Sequence, residues 1–182
     1  MQRADIDNSR YDFISRLNHW IIAVAIIGML IFGIYIFQFV PSGPEKGALI
    51  GIHKAIGFLI LIYGIWRVSY RLFQGFLEDA APMPKWQSVT ARSVHILLLA
   101  GVIIMPLSGF IGNFFGGRTI EVFGLLTIPG GPKVEAISNV AYGVHVNFAW
   151  IMVVAVVLHI LGALKHQLVD HDATLRRMVG RP

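Results

Sequence analysis

Four long stretches of this chain are too apolar, and too nearly free of charge, to form the surface of a soluble domain. Trp20 to Val40 runs 21 residues without a charged side chain, and Val94 to Phe115 is likewise uncharged. Leu49 to Trp66 is broken only by His53 and Lys54 near its start, and Ala136 to Leu164 is longer than a crossing requires. A helix crosses the hydrocarbon core with about 20 mostly apolar residues, and in lipid every backbone amide must find its partner within the segment. The runs therefore predict an all-α, integral membrane four-helix bundle: a single domain over 1–182 with spans near 18–40, 49–72, 93–115 and 139–167. Only 14% of the residues are charged, against roughly 25% in soluble domains. With links this short, no separate soluble catalytic module fits into 182 residues.

The chain has no cysteine. That excludes disulfide scaffolds, thiolate zinc sites, iron–sulfur clusters and covalently attached c-type haem.

Pro41-Ser-Gly-Pro44 ends the first span, because proline removes an amide donor and restricts the residue before it. The second link, Gln74 to Arg92, carries Pro82 and Pro84 and reads as a polar loop. In the third link, Gly116 to Glu135, Val122 to Ile128 is apolar but far too short to cross. Two readings stand for it: a segment at the interface, or a lid folded over the mouth of the bundle.

Eleven Lys and Arg residues fall on one side: Arg3, Arg10, Arg16, Arg67, Arg71, Lys85, Arg92, Lys165, Arg176, Arg177 and Arg181. Only Lys46, Lys54, Arg118 and Lys133 fall on the other. The positive-inside rule then places both termini in the cytoplasm. No small-residue cleavage site follows the first apolar run, so a removed signal peptide is not expected. The net charge of +5 is explained by this basic rim meeting anionic lipid, and nothing in the chain suggests a nucleic-acid module.

Five of the seven histidines lie in or at the edge of a span: His19, His53, His95, His145 and His159. An ionisable side chain at membrane depth is costly and faces the bundle interior. For any single one, an interhelical hydrogen bond is as good a reading as a functional role. Position shifts that balance. His145 and His159 are 14 residues apart, so they project from nearly one helix face, about 21 Å apart along the axis. Depth pairs His53 with His145 on the outer side and His19 with His159 on the inner side. Bis-histidine ligation between helices is how a bundle holds non-covalent haem b. Hard-metal cages lack carboxylates in the spans, and zinc lacks enough ligands at either level. Two haems are the better reading.

His95 shares the inner level and competes for the place opposite His159; His19 is favoured, leaving His95 as a neighbour or a quinone contact. His166 and His171 lie past the apolar run, with exposure the default for both, although His166 is on the face of His159 and nearer the cytoplasm. Arg67 and Arg71 sit four apart on one face at the cytoplasmic end of the second span. They suit haem propionates as well as they suit simple anchoring. The glycines spread through the spans allow close helix approach, as they do in many membrane helices.

These pieces, in order, resemble the bacterial cytochrome b561 family of small four-helix di-haem membrane proteins, over nearly the whole chain. The matching parts are Arg16-Leu-Asn-His-Trp20, Ile52-His53, Arg67 with Arg71, His95 and Pro106, His145 with His159 and His166, and the tail Asp172-Ala-Thr-Leu-Arg-Arg-Met178. The resemblance implies His19 and His159 as iron ligands of the inner haem and His53 and His145 as those of the outer one. It also implies His166 near a quinone, and a bacterial inner-membrane location. Its best understood members oxidise periplasmic superoxide to dioxygen and reduce ubiquinone, so the expected activity is that of a superoxide:ubiquinone oxidoreductase. Lys54 directly after His53 has no clear match in the family pattern.

On that reading Lys54, Arg118 and Lys133 would attract the superoxide anion at the outer face, although Glu45, Glu121 and Glu135 dilute their field. At the inner end, His95 or His166 would relay protons to the quinone. The rival reading is a membrane cytochrome b subunit relaying electrons between quinone and a dehydrogenase, hydrogenase or other redox partner protein. A third, a histidine-based transporter or channel, predicts a colourless protein.

Overall fold

The computed structural model describes residues 11–75 and 82–180. Arg3, Arg10 and Arg181, three of the basic residues assigned to the cytoplasmic side, lie outside that range, as does the middle of the second link. Four helices are long and apolar enough to cross a membrane: α1 (Phe13–Gln38), α2 (Pro44–Gln74), α3 (Lys85–Phe115) and α4 (Glu135–Leu168). Between α3 and α4 stand two short strands, β1 (Ile120–Val122) and β2 (Leu126–Ile128), and a last short helix, α5 (Thr174–Val179), follows α4.

The helix ends follow local chemistry and extend past the apolar runs. Asp12 caps α1 by accepting from the Ser15 amide, so α1 starts seven residues before the run. Pro44 occupies the first turn of α2, where its missing amide hydrogen costs nothing. Lys85 to Arg92, expected as part of a loop, is instead the first two turns of α3. Pro82 and Pro84 stop at its boundary, Pro84 being the N-cap, and no Gly or Pro falls between Lys85 and Arg92.

α3 lies most extensively against α4, and α2 packs between α1 and α3, while α1 scarcely touches α4. Large side chains such as Val24, Ile31, Phe37 and Val154 point outward. In water that would be a defect; in lipid it is the solvent-facing side. Association between such helices rests on close packing rather than water exclusion. Accordingly, a Cβ at Gly101 would collide with Met152 Sδ, and one at Gly64 would press on Val102.

The buried centre is Ile22, Ile26, Ile60, Val102 and Met152. Met152 lies seven residues from both His145 and His159. Ile26, Ile60 and Val102 likewise lie seven residues from His19, His53 and His95, and Ile22 lies nearer to His19, so the core is an apolar plug between the two histidine levels.

The apolar segment of the third link forms an antiparallel hairpin in which Ile120 pairs with Ile128 and Val122 with Leu126. Ile120 and Val122 are buried, and β1 packs on α2. β1 thus lies against α2, where Lys54 donates to the Thr119 carbonyl just before the strand. Phe123, at φ 51°, and Gly124, at φ 72°, make the turn, with Leu125 exposed at its tip.

Candidate functional site

Two imidazole couples form, one at each end of the plug. At the level expected from the charge distribution to face outward, called outer below, the ring centroids of His53 and His145 are 6.2 Å apart and their planes are nearly perpendicular, at 85°. At the inner level those of His19 and His159 are 6.0 Å apart and inclined by 57°. Two imidazoles on opposite sides of one metal ion, each bonded at about 2 Å, place their centroids about 6 Å apart, because a ring's centre lies roughly 1 Å behind its nitrogen. Both spacings meet that requirement. His95 lies 5.3 Å from His159, edge-on at 72°, so it packs against the ring of His159 at the same level. The inner couple also bridges α1 and α4, the two helices that otherwise hardly meet.

The surroundings of each couple suit a planar, anionic cofactor. At the outer level, the Nδ1 of His145 donates to the Met105 carbonyl at 2.8 Å, with Ser108 Oγ 3.3 Å away. A carbonyl only accepts, so the proton is on Nδ1 and Nε2 keeps the lone pair that iron needs. The Nδ1 of His53 is buried without a hydrogen-bond partner. Gly33 and Gly109 lie against these rings: a Cβ would stand 3.3 Å from His53 Cε1 at the first and 3.1 Å from His145 Cε1 at the second. An apolar crevice between the rings is lined by Ile26, Met29, Leu30, Gly57, Ile60, Met105 and Pro106.

At the inner level the two arginines separate. Arg71 donates to the Gly75 carbonyl at 3.0 Å and covers the Tyr11 ring at 4.6 Å. Arg67 is buried, and its Nε and one terminal nitrogen have no acceptor. The amide nitrogen of Asn18, next to His19 in the sequence, is buried and unpartnered as well. A buried guanidinium without a counter-charge is costly. These orphaned donors fit the carboxylates of a haem.

The outer cations are unequal. Lys54 donates to the Thr119 carbonyl at 2.8 Å and lies within electrostatic reach of Arg118. Arg118 donates to the Tyr142 hydroxyl at 3.3 Å. Lys133 pairs with Glu135 at 3.6 Å, both well exposed. Lys54, next to His53 in the sequence, and Arg118 thus lie near one another, and Lys133 is partly neutralised.

His166, for which exposure was the default, is buried. Its Nδ1 lies 2.6 Å from Asp172 and 3.3 Å from Asp170. His95 is held at the inner couple instead. His171 stands in the link after α4 at φ 52°. Sequence reasoning did not single out Asn18, Ser108, Asp170 or Asp172. The signal available was adjacency: Asn18 precedes His19, and Asp172 follows His166 by six residues.

A four-helix membrane protein with an opposed imidazole couple at each end, and orphaned donors at one of them, has the build of a haem b electron carrier. Comparison with known proteins gives the same answer. Residues 10–181 match the family model described as prokaryotic cytochrome b561. The chain is 30% identical to cytochrome b561 homolog 2 of Escherichia coli (strain K12), over 94% of this chain and 92% of that one. It is 28% identical to cytochrome b561 homolog 1 of the same strain, over 55% and 57% of the two chains. The protein belongs to the prokaryotic cytochrome b561 family: multi-pass bacterial membrane proteins that transfer electrons by haem b.

Proposed function

We propose that this protein holds two haems b and carries electrons from superoxide on the outer side of the bacterial inner membrane to ubiquinone on the inner side, with both termini cytoplasmic. The observation that carries this reading is the pair of opposed imidazole couples, His53 with His145 and His19 with His159, at 6.2 and 6.0 Å. In the proposed reaction, two superoxide anions, one quinone and two protons give two dioxygen molecules and one quinol. When bound, each haem supplies one-electron exchange between ferric and ferrous iron.

The chain's own residues do the rest. The four histidines would hold the irons, the Met105 carbonyl fixes the tautomer of His145, and Arg67 with Asn18 would meet the inner propionates. The apolar plug around Met152 separates the two ends. Lys54 and Arg118 would draw a small anion toward the outer couple, beside the β1–β2 hairpin. Oxidising superoxide breaks no bond, so that end needs no nucleophile or general acid. Reducing quinone consumes protons, and imidazoles stand at that end.

The test is stopped-flow mixing of haem-loaded protein with superoxide, with and without a ubiquinone analogue, after quantifying haem per chain. Two haems, prompt reduction and quinone-dependent reoxidation are expected. Haem that stays oxidised in superoxide would refute the donor. Stable co-purification with a haem- or iron–sulfur-bearing partner would turn the reading toward a relay subunit.

A further inference from the structure

The inner end holds a second histidine site that the two couples do not use. His166 lies seven residues beyond His159 on α4, about 10 Å farther toward the cytoplasm on nearly the same face. Its ring is buried, and Asp172 accepts from its Nδ1 at 2.6 Å. Asp170 also approaches that nitrogen but is held by Lys165, whose Nζ lies 2.7 and 2.9 Å from its two oxygens. Asp172 is thus the carboxylate left to His166. The Thr174 amide donates to its other oxygen at 2.8 Å.

The segment carrying Asp172 is itself tied to the inner couple. Trp20 Nε1 donates to the Met178 carbonyl at 3.1 Å, and the Trp20 ring stands edge-on to His19 at 5.3 Å.

We propose that Asp172 is a positioning residue that makes His166 the proton relay for the quinone at the inner haem. This rests on the quinone reading above. An ionised carboxylate only accepts, so Asp172 fixes the proton on Nδ1 of His166 and leaves Nε2 to exchange a proton with the acceptor. Each quinol needs two electrons and two protons. His166 passes one proton at a time from Nε2, regains it from cytoplasmic water, and ends unchanged. Among the described residues, the charged or titratable groups at this end include Lys165, Asp170 and His171 beside it, Arg176 and Arg177 on α5, Lys85, Arg92 and His95 on α3, Arg67 and Arg71 on α2, and Asp12 and Arg16 at the start of α1.

The experiment compares wild type with Asp172→Ala and Asp172→Asn as full-length, haem-loaded protein in nanodiscs. Three quantities are read: haem content and spectrum, the rate of haem reoxidation by a ubiquinone analogue, and the 15N shifts of histidine-labelled protein. With Asp172→Ala, both haems are retained, reoxidation slows about tenfold or more, and the His166 signal moves from the Nδ1–H to the Nε2–H tautomer. Asp172→Asn keeps an acceptor for Nδ1 and restores part of the rate; it also serves where the alanine variant does not fold. An unchanged tautomer or an unchanged rate in Asp172→Ala overturns the role of Asp172, as does a fully wild-type rate in Asp172→Asn where the alanine variant does not fold. Wild-type haem that quinone does not reoxidise overturns the quinone reading and the relay with it, so the two failures are told apart.

Discussion

Gly109→Ala places a methyl group against the outer couple. The new carbon would lie 3.1 Å from both Cε1 and Nδ1 of His145, a few tenths of an ångström inside ordinary contact. The ring has little freedom to yield, because Nδ1 is anchored to Met105 at 2.8 Å and its other face is set by the 6.2 Å spacing to His53. Overpacking of this kind typically costs about 1–3 kcal/mol. If that cost falls on the ligated state, haem loss from the outer site speeds up about 5- to 150-fold, since about 1.4 kcal/mol is tenfold. Helix propensity pulls the other way by up to about 1 kcal/mol, so a matched control is needed. Gly143→Ala provides it: the same exchange, two residues from His145, with nothing within 4 Å of the new carbon. The assay is haem transfer to excess apomyoglobin together with haem quantitation per chain. Fast loss of one haem of two in Gly109→Ala, with wild-type retention in Gly143→Ala, is the expected outcome. Equal retention in both variants would refute the claim that Gly109 shapes the ligand geometry.

Three further predictions follow from the same geometry. Arg67→Leu should weaken retention of the inner haem in the transfer assay while Arg67→Lys restores part of it, and Arg71→Leu should have the smaller effect because Arg71 is already engaged by Gly75 and Tyr11. Lys54→Ala and Arg118→Ala should slow reduction by superoxide and flatten its dependence on ionic strength, whereas Lys133→Ala, next to Glu135, should change the rate least. Burial draws the Asp172 carboxyl up, but hydrogen bonds from Thr174 and His166 outweigh this and hold it below the usual carboxylate range. A group with a depressed folded pKa contributes stability that is present above its unfolded value, near 4, and lost as pH falls through the folded value. Hydrogen exchange in α5, corrected for its intrinsic rate, should therefore rise below about pH 4, and Asp172→Asn should show that looser state at neutral pH.

The sequence by itself determined what depends on position along one axis. Apolar run length placed the four helices, and a fixed rise of about 1.5 Å per residue turned sequence number into depth. That is enough to set His53 level with His145 and His19 level with His159. Depth alone left three rings competing at the inner level. Only the packing, with Met152 seated on Gly101, rotated α4 so that His159 stands 6.0 Å from His19 and 5.3 Å from His95. Arg67 and Arg71 looked alike in the sequence because both lie on one face of α2. Their difference comes from what other segments bring to them: Tyr11 reaches Arg71, and no acceptor reaches two of Arg67's donors. Likewise the burial of His166, expected at the surface, needed a tail folded back onto α1 and α4. Hydrophobic period and helix rise are local properties that a sequence states outright. Which side chains meet depends on helix rotation and on chain reversal, and these are set by contacts between residues far apart in the chain.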